Sequence, residues 1–561
     1  MLYEELKKAW ADLTAPGAPF ETVSIDLRGN PCLTYKNAPP NVRALWLATA
    51  AYGARDYLVY QDERMTYAEA HRQVNAIVAW LTTQGVKTGD RVAIAMRNYP
   101  EWLLIYWACV SMGVATVGMN AWWTAEEMDY ALKDSAPKIL FCDSERLARV
   151  TDHDAVRLVV VRADAAPGVT PWSEVIATER SMPDVAVDPD ADACIFYTSG
   201  TTGFPKGAQL THRGCISNLF SMMFAAQVQA LALSRETGFA IDPTAPPPIP
   251  VGLLTTPLFH VTANNCGAYA VTAAGGKVVM MYRWDAGEAL RLIEEEKVSV
   301  MSGVPVMARE VINHPDFGKR DLSSLLALAG GGAQVPPDLV GKIDAAVATA
   351  RPGTGYGLTE TSGIITSVSA DFFVAKPESV GPVMPVFEFK CVDDSGQTVA
   401  AGEVGELWVR GAQVIKGYLN RPDATAEGIT DGWFHTGDIA RLDADGFVFI
   451  VDRKKDMILR GGENIYCAEV EAATYRLSAV AECSAFGVPD ARLGEEVALA
   501  VVPRDGESLT AEALRGHLSG IMARHKVPRY LWILHEPLPR NASGKFLRRE
   551  LKERLSIAEA V

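Results

Sequence analysis

Residues 197–207 read Tyr-Thr-Ser-Gly-Thr-Thr-Gly-Phe-Pro-Lys-Gly and directly follow an apolar, strand-like run at 193–196. The segment holds four Ser and Thr hydroxyls, three glycines and one lysine. Glycines let backbone N–H groups approach an anion closely, while hydroxyls add donors and a lysine adds a point charge. The stretch therefore predicts a phosphate-binding loop at the end of a strand. It lacks the GxxxxGK[ST] pattern of a P-loop, and a flexible linker is the plainer alternative.

Strand-like and helix-like segments alternate around this loop. Apolar runs near 91–96, 114–119 and 138–142 alternate with helix-like stretches near 102–111 and 125–133. Such a β-α-β-α order favours parallel sheets covered by helices. We therefore predict the α/β class, with two helix-covered, mainly parallel sheets in a large N-terminal domain.

The stretch from Trp102 to Trp123 carries no charged residue and is long enough to cross a bilayer. Glycines at 113 and 118 interrupt it, and the polar residues Thr116 and Asn120 lie within it. We expect a buried helix at about 102–112 followed by a buried strand at about 113–119, and no transmembrane segment.

The sequence pattern changes at about residue 380. Short strand-like runs separated by turn signals such as Asp431-Gly and Asp445-Gly predict a small β-barrel-like subdomain at about 380–450. A charged break at 452–456 is followed by about 105 residues, enough for one small α+β domain. We predict an N-terminal domain at 1–454 and a C-terminal domain at 455–561. The Pro-rich segment 243–250 is expected to be an exposed loop.

Composition and charge exclude several classes of protein. The 561 residues are 48% hydrophobic and 22% charged, which is ordinary for a globular protein. The net charge of −15 argues against a nucleic-acid partner. Residues 1–451 carry −16 and residues 452–561 carry +1, so an anionic substrate must be held by a few local cations. Nine scattered cysteines without a CxxC pair, and a start without an apolar signal region, predict a cytoplasmic protein.

Three later motifs carry candidate chemistry, each with a plain alternative. Gly355-Tyr-Gly-Leu-Thr-Glu360 offers an aromatic face for a base and a carboxylate for Mg²⁺, but is also compatible with a simple turn. The carboxylate of Asp438 in Thr436-Gly-Asp could accept hydrogen bonds from ribose hydroxyls. The lysine of Pro539-Arg-Asn-Ala-Ser-Gly-Lys545 lies on a polar loop before a basic helix, and a solvated charge run is the alternative.

Taken together and in order, these motifs resemble the adenylate-forming (ANL) superfamily of acyl-CoA synthetases, luciferases and nonribosomal adenylation enzymes. The resemblance extends from about Met65 to Lys545. The matching motifs are YTSGTTGFPKG (197–207), PLFH (257–260), GGGA (330–333), GYGLTE (355–360), TGD (436–438), DRKKDMI (452–458), GGENIY (461–466) and the late Lys545.

The resemblance implies a nucleotide site. Residues expected to bind ATP or AMP are Thr198, Ser199, Gly200, Thr201, Thr202, Gly203, Gly332, Ala333, Gly355, Tyr356, Gly357, Thr359, Asp438 and Arg453. Among these, Tyr356 would stack on adenine, Thr359 would contact the α-phosphate, and Asp438 with Arg453 would hold the ribose. Glu360 would bind Mg²⁺, and the catalytic residues would be Lys206, His260 and Lys545.

The resemblance also implies a mobile C-terminal domain. A hinge at Lys455 would let this domain rotate between two half-reactions. In the first, Lys545 would reach the carboxylate and the α-phosphate; in the second, Gly461, Gly462 and Glu463 would contact CoA. His260 would lie between the acid and thiol channels, and a structural core histidine is the alternative.

The candidate acid pocket is lined by small, largely apolar residues. Its expected positions are Val261, Thr262, Ala263, Asn264, Gly303, Gly330, Gly331, Gly363 and Ile364. None is a carboxylate that could bind an amino group, so an α-amino acid substrate is disfavoured. Small side chains leave room for a bulky fatty, arylalkanoic or cyclic acid.

The resemblance therefore implies an AMP-forming carboxylic acid–CoA ligase that uses ATP, Mg²⁺ and CoA, as a monomer or homodimer. One alternative is an acyl-AMP ligase that loads a carrier protein. A luciferase-like oxygenase is a rarer one, and a non-catalytic nucleotide-binding protein is a remote one.

Overall fold

The structure, a computed structural model, describes residues 2–152, 156–177, 180–198, 205–238, 248–461, 463–504, 506–540 and 546–561. Two mainly parallel, helix-covered sheets make up most of the chain, and an antiparallel sheet and a smaller mixed sheet follow. The predicted α/β class is therefore confirmed.

The first sheet ends at the phosphate-loop motif. From edge to edge its strands are Lys206–Thr211, Asp192–Thr198, Ala115–Gly118, Arg91–Ala95, Ile139–Asp143, Arg157–Val161 and Thr170–Pro171. Neighbouring strands are parallel except for the first pair. In that antiparallel pair Thr198 lies opposite Lys206, so the two ends of the loop motif are held side by side.

The second sheet carries the glycine-rich motifs. Its strands, from edge to edge, are Gly363–Ser369, Arg351–Leu358, Ala327–Gly331, Val300–Gly303, Val251–Leu254, Lys277–Met280, Asp56–Tyr60 and Glu63–Thr66. The inner strands are parallel, and the outermost pair on each side is antiparallel. The motif residues 330–333 and 355–360 therefore lie at adjacent carboxyl ends.

Helices cover both sheets and fill the space between them. Those in the N-terminal part are Leu2–Thr14, Val42–Ala48, Tyr67–Thr83, Pro100–Ser111, Ala125–Ser135, Ser144–Leu147, Trp172–Val175, His212–Thr237, Tyr269–Ala273, Ala286–Glu296, Pro305–Asn313, Pro337–Ala346, Ala370–Ala375 and Pro422–Gly428, with short 3₁₀ turns at Thr49–Tyr52, Phe317–Lys319 and Thr359–Thr361 and a π-helical segment at Thr262–Ala268. Residues 22–27 and 30–35 form a separate hairpin.

The uncharged stretch folds as the sequence predicts. It forms the helix Pro100–Ser111, in which every residue is buried, and then the buried strand Ala115–Gly118. The described residues include one helix, His212–Thr237, that is long and apolar enough to span a bilayer. Because 56% of its most apolar window is buried inside the protein, packing accounts for this apolar character.

After residue 380 the strands become antiparallel, as the turn signals predict. This third sheet runs through Gly381–Pro382, Phe447–Arg453, Trp433–Leu442, Gly405–Gly411 and Phe387–Val392, with Ile429–Thr430 paired to Trp433–Leu442. Asp438 and Arg453 face each other across two of its strands. The sheet thus ends where the charged break of the sequence begins.

The C-terminal part has its own sheet and core. Its strands run through Glu463–Ile465, Ile458–Arg460, Gly494–Pro503 and Val480–Asp490, and Tyr530–Ile533 lies parallel to Gly494–Pro503. The helices are Cys467–Thr474, Ala511–Ile521 and Arg548–Arg554, with 3₁₀ turns at Arg524–Lys526 and Ile557–Glu559. Buried residues such as Val470, Leu499 and Leu514 form a core separate from those of the N-terminal part. The predicted boundary at 454/455 stays a prediction.

Candidate active site

The candidate site lies where the carboxyl ends of strands from both large sheets meet the antiparallel sheet. Thr198 ends a strand of the first sheet, and Gly331 and Leu358 end strands of the second. Open parallel sheets bind ligands at such ends. The strand ends therefore bring the separate sequence motifs to one place.

Glu360 is the point where three segments converge. Its Oε1 accepts hydrogen bonds from the hydroxyls of Thr198, at 3.1 Å, and Tyr418, at 3.0 Å. The Glu360 residue is only 9% exposed, so both bonds are largely shielded from water. The Nζ of Lys206 lies 5.3 Å from the centre of the Tyr418 ring. A carboxylate and an ammonium group thus flank the end of the predicted phosphate loop.

The rest of that loop lies outside the described residues. Ser199, Gly200, Thr201, Thr202 and Gly203 fall in the gap between 198 and 205. The structure does place the residues that flank this gap, because Thr198 and Lys206 are paired across two antiparallel strands. Their phosphate-binding role stays a prediction.

The donor set around Glu360 fits a magnesium ion that arrives with a nucleotide. Within the described ranges no group of three or more His, Cys, Asp or Glu side chains could hold a metal. Mg²⁺ characteristically keeps several waters and uses one or two carboxylates together with substrate phosphates. A single carboxylate, oriented by two hydroxyls and close to a lysine, matches that requirement.

A second buried carboxylate, Asp438, lies on the antiparallel sheet and is held by two partners. Tyr356 donates its hydroxyl to Oδ2 at 2.6 Å, and the Nε of Arg453 lies 3.1 Å from Oδ1. Burial, and next the negative charge of Asp438, raise the pKa of Tyr356 well above its usual value. The phenol therefore remains a donor, and the carboxylate is fixed as an acceptor for a polar ligand group.

The glycine backbone beside Tyr356 is not covered by neighbouring side chains. A side chain built at Gly331 would meet nothing nearer than the carbonyl oxygen of Gly355, 3.9 Å away. Gly332 has a φ of +75°, which favours glycine, and Ala333 is exposed. Gly357 instead packs so closely on Gly363 that a Cβ would lie 1.9 Å from its carbonyl oxygen. The glycines thus leave one open edge next to the aromatic ring.

His260 begins the segment that leads to the predicted acid pocket. Its backbone N–H donates to the carbonyl of Pro257 at 3.1 Å, and its ring centre lies 4.7 Å from that of Phe259. Residues 262–268 then form a π-helical segment, a rare conformation that is frequent at functional sites. Whether His260 gates a channel stays a prediction.

The predicted pocket residues differ in how much surface they present. Val261, Ala263 and Asn264 are buried, whereas Thr262 and Ile364 are partly exposed. Three of the four predicted wall glycines pack tightly: a Cβ at Gly303 would lie 2.6 Å from Thr255 Oγ1, at Gly330 2.8 Å from Val335 Cγ2, and at Gly363 2.1 Å from Asn218 Oδ1. The wall tolerates no larger residue at these places.

Asn218 was not expected from the sequence. It accepts a hydrogen bond from the Ile364 N–H at 2.8 Å and donates to the Asn265 carbonyl at 3.2 Å. It therefore ties the strand after Glu360 to the π-helical segment after His260. No pattern in the sequence indicates this role, since a single Asn within an apolar helix carries no periodic signal.

Tyr418 was also missed, although it contacts both Glu360 and Lys206. It follows Lys416-Gly417 in a short connection after the strand Gly405–Gly411. A Gly-Tyr pair after a strand is the available signal, and it is too common to decide a role.

The predicted hinge and CoA-binding residues lie beyond the antiparallel sheet. Lys455 falls in the turn between the strands ending at Arg453 and beginning at Ile458. The N–H of Gly461 donates to the carbonyl of Leu493 at 2.7 Å, and Glu463 is exposed on the following strand. Gly462 and Lys545 lie outside the described residues. The roles of all these residues stay predictions.

The junction around the hinge is a partly buried charged cluster. Arg548 pairs with Asp456 at 2.7 Å and with Glu471 at 2.8 Å. Asp452 accepts a hydrogen bond from the Arg453 N–H at 2.7 Å, and burial raises its pKa to about 6. Cys467 is fully buried, and burial strongly raises the pKa of its thiol, so it is a structural and not a reactive cysteine.

Two family models match most of the chain. The family model described as AMP-binding enzyme matches residues 45–419, and the model described as AMP-binding enzyme C-terminal domain matches residues 469–545.

Similar proteins cover nearly the whole chain. A feruloyl-CoA synthase of Amycolatopsis sp. is 37% identical over 491 residues, covering 87% of this chain and 94% of the relative. A long-chain-fatty-acid–CoA ligase of Salmonella typhimurium is 33% identical over 543 residues, covering 90% and 93%. Among solved structures, the o-succinylbenzoate CoA synthetase of Bacillus subtilis in complex with ATP and magnesium ion has a TM-score of 0.75 and 29% identity, covering 91% of this chain and 99% of its own.

Proposed function

Because the chain belongs to the family of AMP-binding enzymes, we propose that it joins a bulky, apolar carboxylic acid to CoA. At the coarser level the family gives the class: an AMP-forming acyl- or aryl-CoA ligase that uses ATP, Mg²⁺ and CoA. The kind of acid is what the proposal adds to this class.

The observation that carries the proposal is the convergence on Glu360. Thr198 from the phosphate-loop motif and Tyr418 from a distant connection both donate to its Oε1, and Lys206 lies against the Tyr418 ring. A carboxylate attacking a phosphate must overcome repulsion between anions, and catalysis consists mainly of positioning and charge neutralisation. A metal-binding carboxylate beside a lysine supplies these functions in a protein with a net charge of −15.

In the first step an oxygen of the acid forms a bond to the α-phosphorus and pyrophosphate leaves. Asp438, held by Tyr356 and Arg453, orients the ribose, while Lys206 and Glu360 act at the phosphates, the latter through the Mg²⁺ that neutralises them when bound. Lys545, on the C-terminal part, supplies a further positive charge to the reacting oxygens.

In the second step the sulfur of CoA bonds to the acyl carbon, and AMP leaves with the carboxyl oxygen. The C-terminal part turns about Lys455 between the two steps. Lys545 thereby leaves the reacting centre, and the segment 461–463 takes its place. Such alternation lets one site provide two geometries that cannot coexist.

A bulky, apolar acid is supported by the relatives and by the lack of a carboxylate among the predicted pocket residues. The chain resembles enzymes named for an aryl acid and for long-chain fatty acids. Of the predicted pocket residues, Thr262 and Ile364 keep partly exposed surface, whereas the space at Gly303, Gly330 and Gly363 is already filled by neighbouring side chains. We place the enzyme in the cytoplasm as a monomer or homodimer, without a nucleic-acid partner.

The test is a panel of acids assayed for pyrophosphate release with ATP and Mg²⁺, with and without CoA. The panel contains short, medium and long fatty acids, benzoates, arylpropionates and cyclic acids, with α-amino acids as the matched negative set. We expect release that depends on a bulky apolar acid and multiple turnovers only with CoA. Release that is indifferent to CoA would favour an acyl-AMP ligase that loads a carrier protein.

A further inference from the structure

The two arms of the phosphate-loop motif are held by one helix, Ala125–Ser135. The Tyr197 hydroxyl, on the strand that enters the loop, donates to Asp134 Oδ2 at 2.8 Å. The Tyr130 hydroxyl donates to the carbonyl of Pro205, just before the strand that leaves the loop, at 3.1 Å. Residues 130 and 134 are four positions apart, so they lie on the same face of the helix. The helix therefore contacts the chain on both sides of the loop.

The contact between Tyr197 and Asp134 is shielded from water. Tyr197 is 8% exposed, and the Asp134 side chain is 7% exposed. Burial, and next the negative charge of Asp134, raise the pKa of Tyr197 well above its usual value, so the phenol stays protonated and donates. A hydrogen bond to a charged acceptor in a buried place is stronger than one in water. The first arm of the loop is therefore firmly attached to the helix.

The second arm of the loop is the outermost strand of its sheet. Lys206–Thr211 pairs on one side with Asp192–Thr198, and an edge strand has backbone groups left to pair on its other side. The connection 416–421 lies along that side. Three backbone hydrogen bonds join it to the strand, from the N–H of Leu419 to Gly207 at 2.8 Å, of Gln209 to Gly417 at 3.0 Å, and of Lys416 to Gln209 at 3.0 Å.

Arg421, at the end of this connection, joins it to the helix. Its Nη2 donates to the Tyr130 oxygen at 2.7 Å, and its Nη1 lies 3.5 Å from Asp134 Oδ1. Asn420 has a φ of +51°, which asparagine tolerates, and its Nδ2 donates to the Asp134 carbonyl at 2.7 Å. The Tyr130 oxygen thus accepts from Arg421 and donates to Pro205. It connects the helix, the connection and the loop in one chain of contacts.

These contacts reach both charged groups of the candidate site. We call Tyr130, Asp134 and Arg421 the loop clamp. Lys206 directly follows the carbonyl that Tyr130 holds, and the connection that carries Arg421 also carries Tyr418, whose hydroxyl donates to Glu360 Oε1. Catalysis of this kind depends on positioning, and a small misplacement of a charged group lowers it strongly.

We propose that the loop clamp positions Lys206 and the phosphate loop for the β- and γ-phosphates of ATP, with Tyr130 as its central residue. This inference rests on the proposed function, since it presupposes that the motif binds the pyrophosphate part of ATP. The clamp residues are positioning residues that act through Pro205 and Lys206. They affect adenylation and its reversal, and they do not affect the thioester step, because pyrophosphate has left before it.

The experiment compares Tyr130→Phe, Arg421→Gln and the double variant with wild type in both half-reactions. Adenylation is measured as pyrophosphate exchange against the concentrations of MgATP and of pyrophosphate, at saturating acid. Thioester formation is measured from pre-made acyl-adenylate and CoA. Inhibition by AMP, which lacks the β- and γ-phosphates, is measured alongside. Melting temperatures report whether each variant is folded.

Tyr52→Phe is the matched control. Tyr52, like Tyr130, is partly buried, and it donates its hydroxyl to a backbone carbonyl, that of Ala273, at 2.6 Å. The control therefore removes a hydrogen bond of the same kind from a place that does not contact the loop motif. Its kinetic constants should equal those of wild type.

We expect Tyr130→Phe to raise the KM for MgATP and for pyrophosphate by about 3- to 10-fold, the usual effect of losing one hydrogen bond. Arg421→Gln should act in the same direction. The double variant should show no more than the larger single effect, because both changes break the same chain of contacts. Inhibition by AMP and the rate of thioester formation should stay at the wild-type values.

Unchanged KM values for MgATP and pyrophosphate in folded Tyr130→Phe and Arg421→Gln would overturn the inference. Single effects that multiply in the double variant would overturn the clamp as one unit. An equal weakening of AMP inhibition, or an equal loss of thioester formation, would overturn it too, because either indicates a general distortion of the site. The proposed function fails on a different result, namely wild type that releases no pyrophosphate with any acid of the panel.

Discussion

Replacing Tyr418 with phenylalanine isolates one contact of the proposed magnesium site. The change removes the hydroxyl that donates to Glu360 Oε1 at 3.0 Å and leaves the bond from Thr198 at 3.1 Å. It keeps an aromatic face for the Lys206 ammonium, which lies 5.3 Å from the ring centre. The perturbation is therefore confined to the orientation of one carboxylate.

The expected loss of Mg²⁺ affinity follows from that geometry. Removing a group that orients a metal ligand lowers metal affinity by about 10- to 100-fold, or ~1.4–2.7 kcal/mol. Because the second donor, Thr198, remains, we expect the lower half of that range. Glu360→Gln removes the charged ligand itself, and its loss of adenylation should not be recovered at high Mg²⁺.

The assay is pyrophosphate exchange measured against Mg²⁺ concentration at saturating ATP and acid. For Tyr418→Phe we expect the Mg²⁺ dependence to shift to higher concentration, with the maximal rate nearly restored there. Tyr52→Phe is the control, since it removes a hydroxyl bonded to the Ala273 carbonyl away from the site. A Mg²⁺ dependence identical to wild type in both Tyr418→Phe and Glu360→Gln would refute Glu360 as the metal ligand.

Three further predictions concern the C-terminal part and its junction with the antiparallel sheet. Lys545→Ala should abolish adenylate formation yet largely spare thioester formation from pre-made acyl-adenylate; equal loss of both would remove Lys545 from the first step. Lys455→Pro should slow thioester formation more than adenylation, because it stiffens the turn about which the C-terminal part rotates; unchanged thioester kinetics would contradict the hinge. Burial raises the pKa of Asp452 to about 6 from its ordinary 3.8, so its stabilising contribution is complete below about pH 4 and lost as the pH rises through 6. Melting temperatures of Asp452→Asn should therefore improve relative to wild type between pH 4 and 7, by the equivalent of about 1–3 kcal/mol, and a constant difference would disprove the shift.

The architecture could be predicted because its signals are local and repeated. Alternating apolar runs and helix-like stretches indicate parallel sheets, and the strands Arg91–Ala95, Ala115–Gly118 and Ile139–Asp143 lie within about two residues of the expected positions. Gly113 correctly marked the break between the buried helix Pro100–Ser111 and the buried strand Ala115–Gly118. Turn dipeptides such as Asp431-Gly and Asp445-Gly correctly marked the change to antiparallel strands.

Motif chemistry singled out Glu360, Asp438 and Lys206 as candidates, but it could not predict most of the contacts that hold their side chains in place. The Glu360–Tyr418 bond joins residues 58 positions apart, and Asn218 bonds to Ile364 over 146 positions. Such pairs depend on how sheets pack and leave no periodic trace in the sequence.

The central claim is that acid activation and transfer to CoA are two steps on one site. The most direct measurement is a single turnover with enzyme in excess over the preferred acid, quenched and analysed by mass spectrometry before and after addition of CoA. The account predicts acyl-AMP equivalent to the acid supplied without CoA, and its conversion to acyl-CoA and AMP once CoA is added. Acyl-AMP that persists in the presence of CoA, or acyl-CoA formed with ADP in place of AMP, would contradict it.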